Sequence, residues 1–216
     1  MSVYSIKIAL LVVVTIGLVR PFCPTDESEP LDERSGFDTT FTPDIVVADG
    51  DKPSAGGHEF EAIHTPGHAS DHMAFALGQT GTVFTGDHVI GWSMTVIYPP
   101  DGYMPDYITS LDKLLKREDT LYLPGRGPKI CEPQAFVRGL KAHRLSREQA
   151  VFQRMLAGDR SVDDITAALY RGVSAELPDA ARGTVWAHLE SLAALGLAVA
   201  DGPATMTTTY RAVPNE

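Results

Sequence analysis

The chain has 216 residues, of which 44% are hydrophobic, and its formal net charge is −10. These values allow a packed core in one domain, or in one domain with a small appendage. The acidic balance argues against a nucleic-acid partner held by bulk charge, since phosphate binding depends on clustered Lys and Arg. Two distant cysteines, Cys23 and Cys131, exclude a disulfide framework and indicate free thiols in a reducing cytosol.

An apolar run at residues 8–19 follows Lys7 and precedes Arg20. As a helix it would extend about 18 Å, against a bilayer core of roughly 30 Å, so it does not span comfortably. The basic start suits a secretory signal, but no small-residue cleavage site follows. The β-branched composition suits a buried strand equally well. We therefore expect a cytoplasmic protein, with membrane association or export through residues 8–19 as the alternative.

Strands are predicted in the next part of the chain, after an acidic, proline-punctuated loop at residues 23–40. The predicted strands lie at residues 44–48, 60–63, 73–77 and 82–85. The second breaks at Pro66-Gly67 and presents His68, and the fourth ends on Gly86-Asp87. The pattern therefore predicts that the imidazole of His68 and the carboxylate of Asp87 lie close together at the strand ends.

A helix and a rigid turn are predicted after an apolar, aromatic loop that contains Trp92. Residues 107–117 carry apolar side chains at a helical period and end in basic residues, as a helix C-terminus prefers. A short strand at residues 121–123 stops at a Pro-Gly-Arg-Gly-Pro turn. This turn is rigid enough to hold Arg126 in a defined place.

The last third of the chain changes to a helical character. Residues 134–156 read as one long helix, and Ser161 with Asp164 forms a capping box that opens a second. A third helix has one apolar stripe that ends at Gly196, and two short strands follow around Gly202-Pro203. The stripe consists of Val185, Leu189, Leu192 and Leu195. Three helices and a hairpin predict a winged helix.

The charge of this predicted winged helix argues against DNA binding. From Lys141 to the end there are eight Lys or Arg and nine Asp or Glu, so no basic face is expected. A packing or dimerisation role is the better interpretation.

The motifs HTPGH at residues 64–68, FTGDH at 84–88 and LYLPGRGP at 121–128 resemble the metallo-β-lactamase superfamily. The resemblance runs from about Asp32 to Val213 and is strongest to lactamase-like hydrolases with a winged-helix tail. It implies an α/β fold, a partial αββα sandwich (its C-terminal half) followed by a winged-helix domain. The implied domains are residues 1–40 of uncertain origin, a partial lactamase-like domain at 41–131, and the helical domain at 132–216.

The resemblance also implies metal ligands. The family holds two zinc ions per chain with an HxHxDH motif, the His of the PGH turn, a bridging Asp and a late His. His68 matches the His of the turn, and Asp87 matches the bridging carboxylate. No HxHxDH occurs in this sequence, and Arg126 stands at the late His. Arginine cannot ligate a metal, so zinc is expected to be weakly bound or absent.

His64, His72 and His88 lie close in sequence to the two matched ligands. A makeshift metal site that recruits them is conceivable. We expect instead that His64 and His72 orient the turn through hydrogen bonds.

Three functional hypotheses remain open. The chain is a metal-dependent hydrolase of an ester, thioester, lactam or phosphodiester, impaired by its missing ligands. Alternatively, it is a pseudoenzyme that binds a partner, with Arg126 available to hold an anionic group bidentately, or it is the product of a truncated gene. The expected partners are a small-molecule substrate and a second copy of the chain, bound through an exposed sheet edge or the winged helix.

Overall fold

A five-stranded mixed sheet forms the first part of the fold in the computed structural model, which describes residues 45–170 and 179–213. Its strands are β1 (Ser54–Ala55), β2 (His58–His64), β3 (Met73–Leu77), β4 (Thr82–Gly86) and β5 (Leu121–Pro124). They lie side by side in chain order. Neighbouring strands are antiparallel from β1 to β4, whereas β4 and β5 are parallel because a helical crossover connects them.

Both faces of this sheet carry apolar side chains. On one face Ile63, Ala74 and Val83 are almost completely buried in the main hydrophobic core. On the opposite face Phe60 and Phe84 lie with ring centroids 6.1 Å apart. A sheet that is apolar on both sides is typical of an inner layer of a sandwich, because each face needs another layer against it.

Two helices cover the first face. Helix α1 (Met104–Leu115) buries Tyr107, Leu111 and Leu114 against the sheet, and Pro105 occupies its first turn, where a missing N–H costs little. Helix α2 (Pro133–Leu156) follows β5 and adds Val137 and Leu140 to the same core. The far end of α2 continues into a second core, so this helix connects the two halves of the fold.

The second core belongs to a winged helix. It consists of the C-terminal end of α2, helix α3 (Val162–Leu169), helix α4 (Asp179–Ala194) and the hairpin of β6 (Ala198–Ala200) and β7 (Tyr210–Ala212). Ser161 caps α3 by accepting a hydrogen bond from the Asp164 amide, as the capping box predicts. The α/β sandwich layer followed by a winged helix is the fold class that the sequence predicts.

Two local predictions are wrong. Residues 45–48 of the predicted strand at 44–48 form no strand, because no strand within the described residues pairs with them. Val47 is buried, whereas Ile45 and Val46 are exposed. Residue 44 lies outside the described residues. Leu195 is 61% exposed, because α4 ends at Ala194 and the chain turns away before Leu195 can join the buried stripe.

Several predictions concern residues for which no structure is described. The apolar run at residues 8–19, the acidic loop at 23–40 and Cys23 all lie there. Cys131 is a free, exposed thiol. Within residues 45–170 and 179–213, every helix is too short or too polar to cross a membrane.

Candidate functional site

The turn that presents His68 is locked onto helix α1. Gly67 has a φ of +132°, and a Cβ at this position would lie 2.3 Å from the Tyr107 Cα atom. Ser110 donates a hydrogen bond to the Pro66 carbonyl at 2.8 Å. The His68 Nδ1 atom lies 2.7 Å from the Val96 carbonyl, which can only accept, so Nδ1 is the donor. This bond fixes the tautomer and leaves Nε2 as the free nitrogen for other contacts.

Asp87 lies directly after β4, at the edge where β4 and β5 end side by side. One of its carboxylate oxygens, Oδ2, is 3.1 Å from the Arg126 Nη2 atom. The side chain of Arg126 is 67% exposed and that of Asp87 is 29% exposed. The arginine that stands at the position of the family's late His therefore forms an ion pair with the carboxylate that matches the bridging ligand.

Three further histidines, His64, His72 and His88, lie around the turn that presents His68. His72 lies between His68 and His88, with ring centroids 6.4 Å and 5.6 Å away. Its Nδ1 atom is hydrogen-bonded to the Thr65 hydroxyl at 2.8 Å, while His64 Nε2 contacts the Ser70 carbonyl at 3.1 Å. These hydrogen bonds join the two ends of the turn, which is the orienting role predicted for His64 and His72.

The charges of this cluster are set by burial. Burial, together with the nearby His68 and His64, lowers the pKa of His72 to about 4, so the ring is neutral at pH 7. His88 is completely buried against the Tyr107 ring, with centroids 4.6 Å apart, and burial lowers its pKa well below the ordinary value. Both rings are therefore neutral nitrogen donors rather than cations.

The donors of this region do not fit a metal centre. Within the two described stretches, there is no group of three or more His, Cys, Asp or Glu side chains that could hold a metal ion. His64 and His72 are engaged with the turn, and Asp87 faces a guanidinium. A catalytic zinc site uses about three protein ligands and one open position. The assignment of His68 and Asp87 as metal ligands remains a prediction.

Sequence reasoning missed the part played by residues 94–96. The Thr95 hydroxyl donates to the Asp87 carbonyl at 2.5 Å, and the Thr95 carbonyl accepts a hydrogen bond from the buried Arg144. This segment has no secondary structure, and Arg144 lies 49 residues after Thr95. Neither periodicity nor a local motif could have indicated these contacts.

The mixed sheet, its covering helices and the strand-end site define an α/β domain that carries a winged helix. The chain belongs to the metallo-beta-lactamase superfamily, whose family profile matches residues 11–126. The beta-lactamase associated winged helix domain matches residues 161–204. The superfamily typically binds metals. The first match begins inside the apolar run at residues 8–19, and the domain boundaries at residues 40 and 131 remain predictions.

Among curated proteins, the chain is similar to the lactamase-like protein adaB of Aspergillus niger, with 34% identity over 113 residues, which are 51% of this chain and 34% of that protein. It is 32% identical over 109 residues to an atrochrysone carboxyl ACP thioesterase of Aspergillus chevalieri, covering 50% of this chain and 34% of that one. The chain thus spans about a third of the length of these relatives.

A solved structure shows the same fold. It is a metallo-beta-lactamase family protein from Thermus thermophilus, with a TM-score of 0.68 and 23% sequence identity. The similarity covers 80% of this chain and 55% of the other.

Proposed function

We propose that this chain is a non-hydrolytic member of the metallo-beta-lactamase superfamily, in which an internal ion pair replaces the metal centre. The observation that carries the proposal is the 3.1 Å distance between Arg126 Nη2 and Asp87 Oδ2. The Asp87 carboxylate already has a counter-charge in the Arg126 guanidinium. A divalent metal ion bound to Asp87 would be repelled by that guanidinium. Arginine stays protonated at every accessible pH, so this counter-charge is permanent.

The ligand chemistry supports the same proposal. Metal-dependent hydrolysis needs a bound water whose pKa falls to roughly 7, which requires a tightly held ion with an open coordination position. Of the two matched ligands, His68 keeps its Nε2 atom open, whereas Asp87 is already paired with Arg126. The printed sequence has no HxHxDH to supply the remaining ligands. Zinc is therefore proposed to bind weakly or not at all.

The measurement that tests this proposal is the metal content of the chain purified from zinc-supplemented medium, combined with assays on ester, thioester, lactam and phosphodiester substrates. We expect far less than about one zinc per chain and no hydrolysis above that of heat-treated protein. A content near two zinc per chain, or hydrolysis that a chelator abolishes, would contradict the proposal.

A second candidate function is metal-dependent hydrolysis of a thioester or related acyl compound. It is favoured by the similarity to a protein named as a carboxyl ACP thioesterase. The chain spans about a third of that relative's length, and its sequence contains no HxHxDH, so this candidate needs metal ligands other than those of the family motif. Thioester hydrolysis by the full chain with added zinc would support this candidate over the first.

We further propose that the chain acts in the cytoplasm and forms a homodimer through the open edge of β1 or through the winged helix. The support for the dimer is the position of β1 at the edge of the described sheet, together with the exposed apolar side chains of Ile45 and Val46 in the preceding segment. Light scattering coupled to gel filtration tests the dimer, and a monomer at all concentrations would contradict it.

A further inference from the structure

A cavity of about 270 Å³ lies where helices α2 and α4 meet the loop before α1. Its walls include Val96 of that loop, Arg144 and Arg147 of α2, and Thr184 of α4. The volume is just below the range of small-molecule sites, which starts at about 300 Å³. The cavity is therefore large enough only for a small ligand.

The charge of this cavity is opposite to that of the chain as a whole. His143, Arg144 and Arg147 line it from adjacent turns of α2, on a chain with a formal net charge of −10. Across the described parts of the chain, neither Arg144 nor Arg147 is within salt-bridge distance of a carboxylate. Burial and the charges of Arg147 and Arg144 lower the pKa of His143, as a positive local potential requires.

Arg144 is a buried cation with neutral partners. It is 3% exposed, one of its terminal nitrogens donates to the Thr95 carbonyl, and its Cζ atom lies 5.2 Å from the centroid of the Tyr107 ring. Its Nε atom is buried without a hydrogen-bond partner in the described structure. Glu148 is the nearest carboxylate in sequence, but it faces His188 at 3.5 Å instead. Burying an uncompensated charge is unfavourable, and an anion in the cavity would offset that cost.

Arg147 is held in place by stacking. Its Cζ atom lies 4.9 Å from the centroid of the Tyr170 ring, so the planar guanidinium is positioned without a carboxylate. A guanidinium arranged in this way keeps N–H donors available for the paired oxygens of a carboxylate or phosphate. The remaining walls contain Met94, Val96 and Ala181, which are apolar.

We propose that this cavity binds a small organic oxyanion, with its phosphate or carboxylate beside Arg147 and Arg144 and its apolar part against Met94, Val96 and Ala181. The site is separate from the Asp87–Arg126 pair. Residues 95 and 96 lie between the two, since the Thr95 hydroxyl bonds the Asp87 backbone and the Val96 carbonyl bonds His68. The proposal therefore does not depend on whether the chain hydrolyses anything.

Titration calorimetry with phenyl phosphate and with benzoate tests the proposal on the full chain. We expect binding of at least one of them with a Kd of about 1 mM or tighter. Tighter binding of phenyl phosphate identifies a phosphate ligand, and tighter binding of benzoate identifies a carboxylate ligand, so both outcomes support an oxyanion site.

Substitutions in the cavity wall test whether the anion binds there. Arg147→Gln is expected to weaken it about tenfold, because one charged donor is lost, and Thr184→Glu is expected to weaken it at least as much by adding a negative charge to the wall. Arg138→Gln is the matched control on an exposed face of α2 and should leave the Kd unchanged. The proposal is overturned if neither anion binds, or if Arg147→Gln and Thr184→Glu both bind normally. The proposal is also overturned if Arg126→Gln is the variant that abolishes binding while the cavity variants bind normally, because the anion would then occupy the site of the Asp87–Arg126 pair.

Discussion

Tyr98, in the loop before α1, packs edge-on against Trp186 of helix α4, with ring centroids 6.0 Å apart and planes at 85°. This contact joins the lactamase-like sheet domain to the winged helix. The Tyr98 ring reaches Trp186 because Gly183 has no side chain. A Cβ at position 183 would lie 2.2 Å from the Tyr98 Cδ2 atom. Aromatic pairs of this geometry add roughly 0.5–1.5 kcal/mol beyond their buried area.

Gly183→Ala is predicted to destabilise the protein. The added methyl group forces the Tyr98 ring out of its position, and overpacking of this kind costs about 1–3 kcal/mol. Urea denaturation followed by fluorescence measures the loss. Gly139→Ala is the control, since Gly139 lies in helix α2 with no neighbouring atom within 4 Å of its Cβ position. That change should stabilise the protein by up to about 1 kcal/mol, because alanine is the better helix former. Equal effects of the two substitutions would contradict the packing role of Gly183.

Gly67→Ala is predicted to be more severe. The backbone φ of +132° suits glycine, and the new Cβ would lie 2.3 Å from the Tyr107 Cα atom in the packed first turn of α1. We expect a loss of more than about 3 kcal/mol, measured as the free energy of unfolding. Gly57→Ala is the comparison, because Gly57 also has a positive φ, of +80°, but no atom lies within 4 Å of its Cβ position. Backbone strain alone should then lower the free energy of unfolding by about 1–2 kcal/mol. A Gly67 variant as stable as the Gly57 variant would show that the turn can move away from α1.

Arg126→His is predicted not to create a working metal site. It removes the cation beside Asp87 and restores the family's residue at the late turn, but the ligands of HxHxDH are still missing from the chain. We expect no zinc binding tighter than about 10 μM by calorimetry and no hydrolysis of thioester or lactam substrates. Arg126→Gln provides the comparison, because it removes the same charge without adding an imidazole. Zinc-dependent hydrolysis by the histidine variant would contradict the expectation that too few metal ligands remain, and would identify Arg126 as the residue that prevents zinc binding.

The regular parts of the fold could be predicted from sequence because their signals are local. Strand β3 has the predicted bounds, Met73–Leu77, and Ser161 caps α3 as its motif indicates. The predicted strand at 44–48 fails because β propensity cannot show whether a partner strand lies beside Val47. The replacement at Arg126 could be recognised from the turn motif, but its pairing with Asp87 depends on the strand ends of β4 and β5 meeting. The Arg144 contacts link α2 to a loop 49 residues away, which no short pattern encodes.

The stability of the protein is predicted to fall as the pH falls below about 6.5, and His188 contributes to this loss. His188 is completely buried in the winged helix. Burial lowers its pKa from the ordinary value of 6.5, Glu148 opposes the shift, and Arg144 and Arg147 add to it. The unfolded chain therefore binds a proton at a higher pH than the folded chain does. The stabilising contribution is complete above the unfolded pKa and is lost as the pH falls towards the folded pKa.

Urea denaturation of the wild type and of His188→Gln between about pH 8 and pH 5 measures this contribution. The variant should show a smaller decrease in the free energy of unfolding over that range, whatever its stability at pH 8. Part of the decrease should persist, because burial also lowers the pKa of His72, to about 4. His58→Gln replaces an exposed histidine and is the matched control, expected to follow the wild-type pH profile. If His188→Gln also follows that profile, protonation of His188 does not limit stability in acid, because the buried ring then gains a proton without cost to the fold.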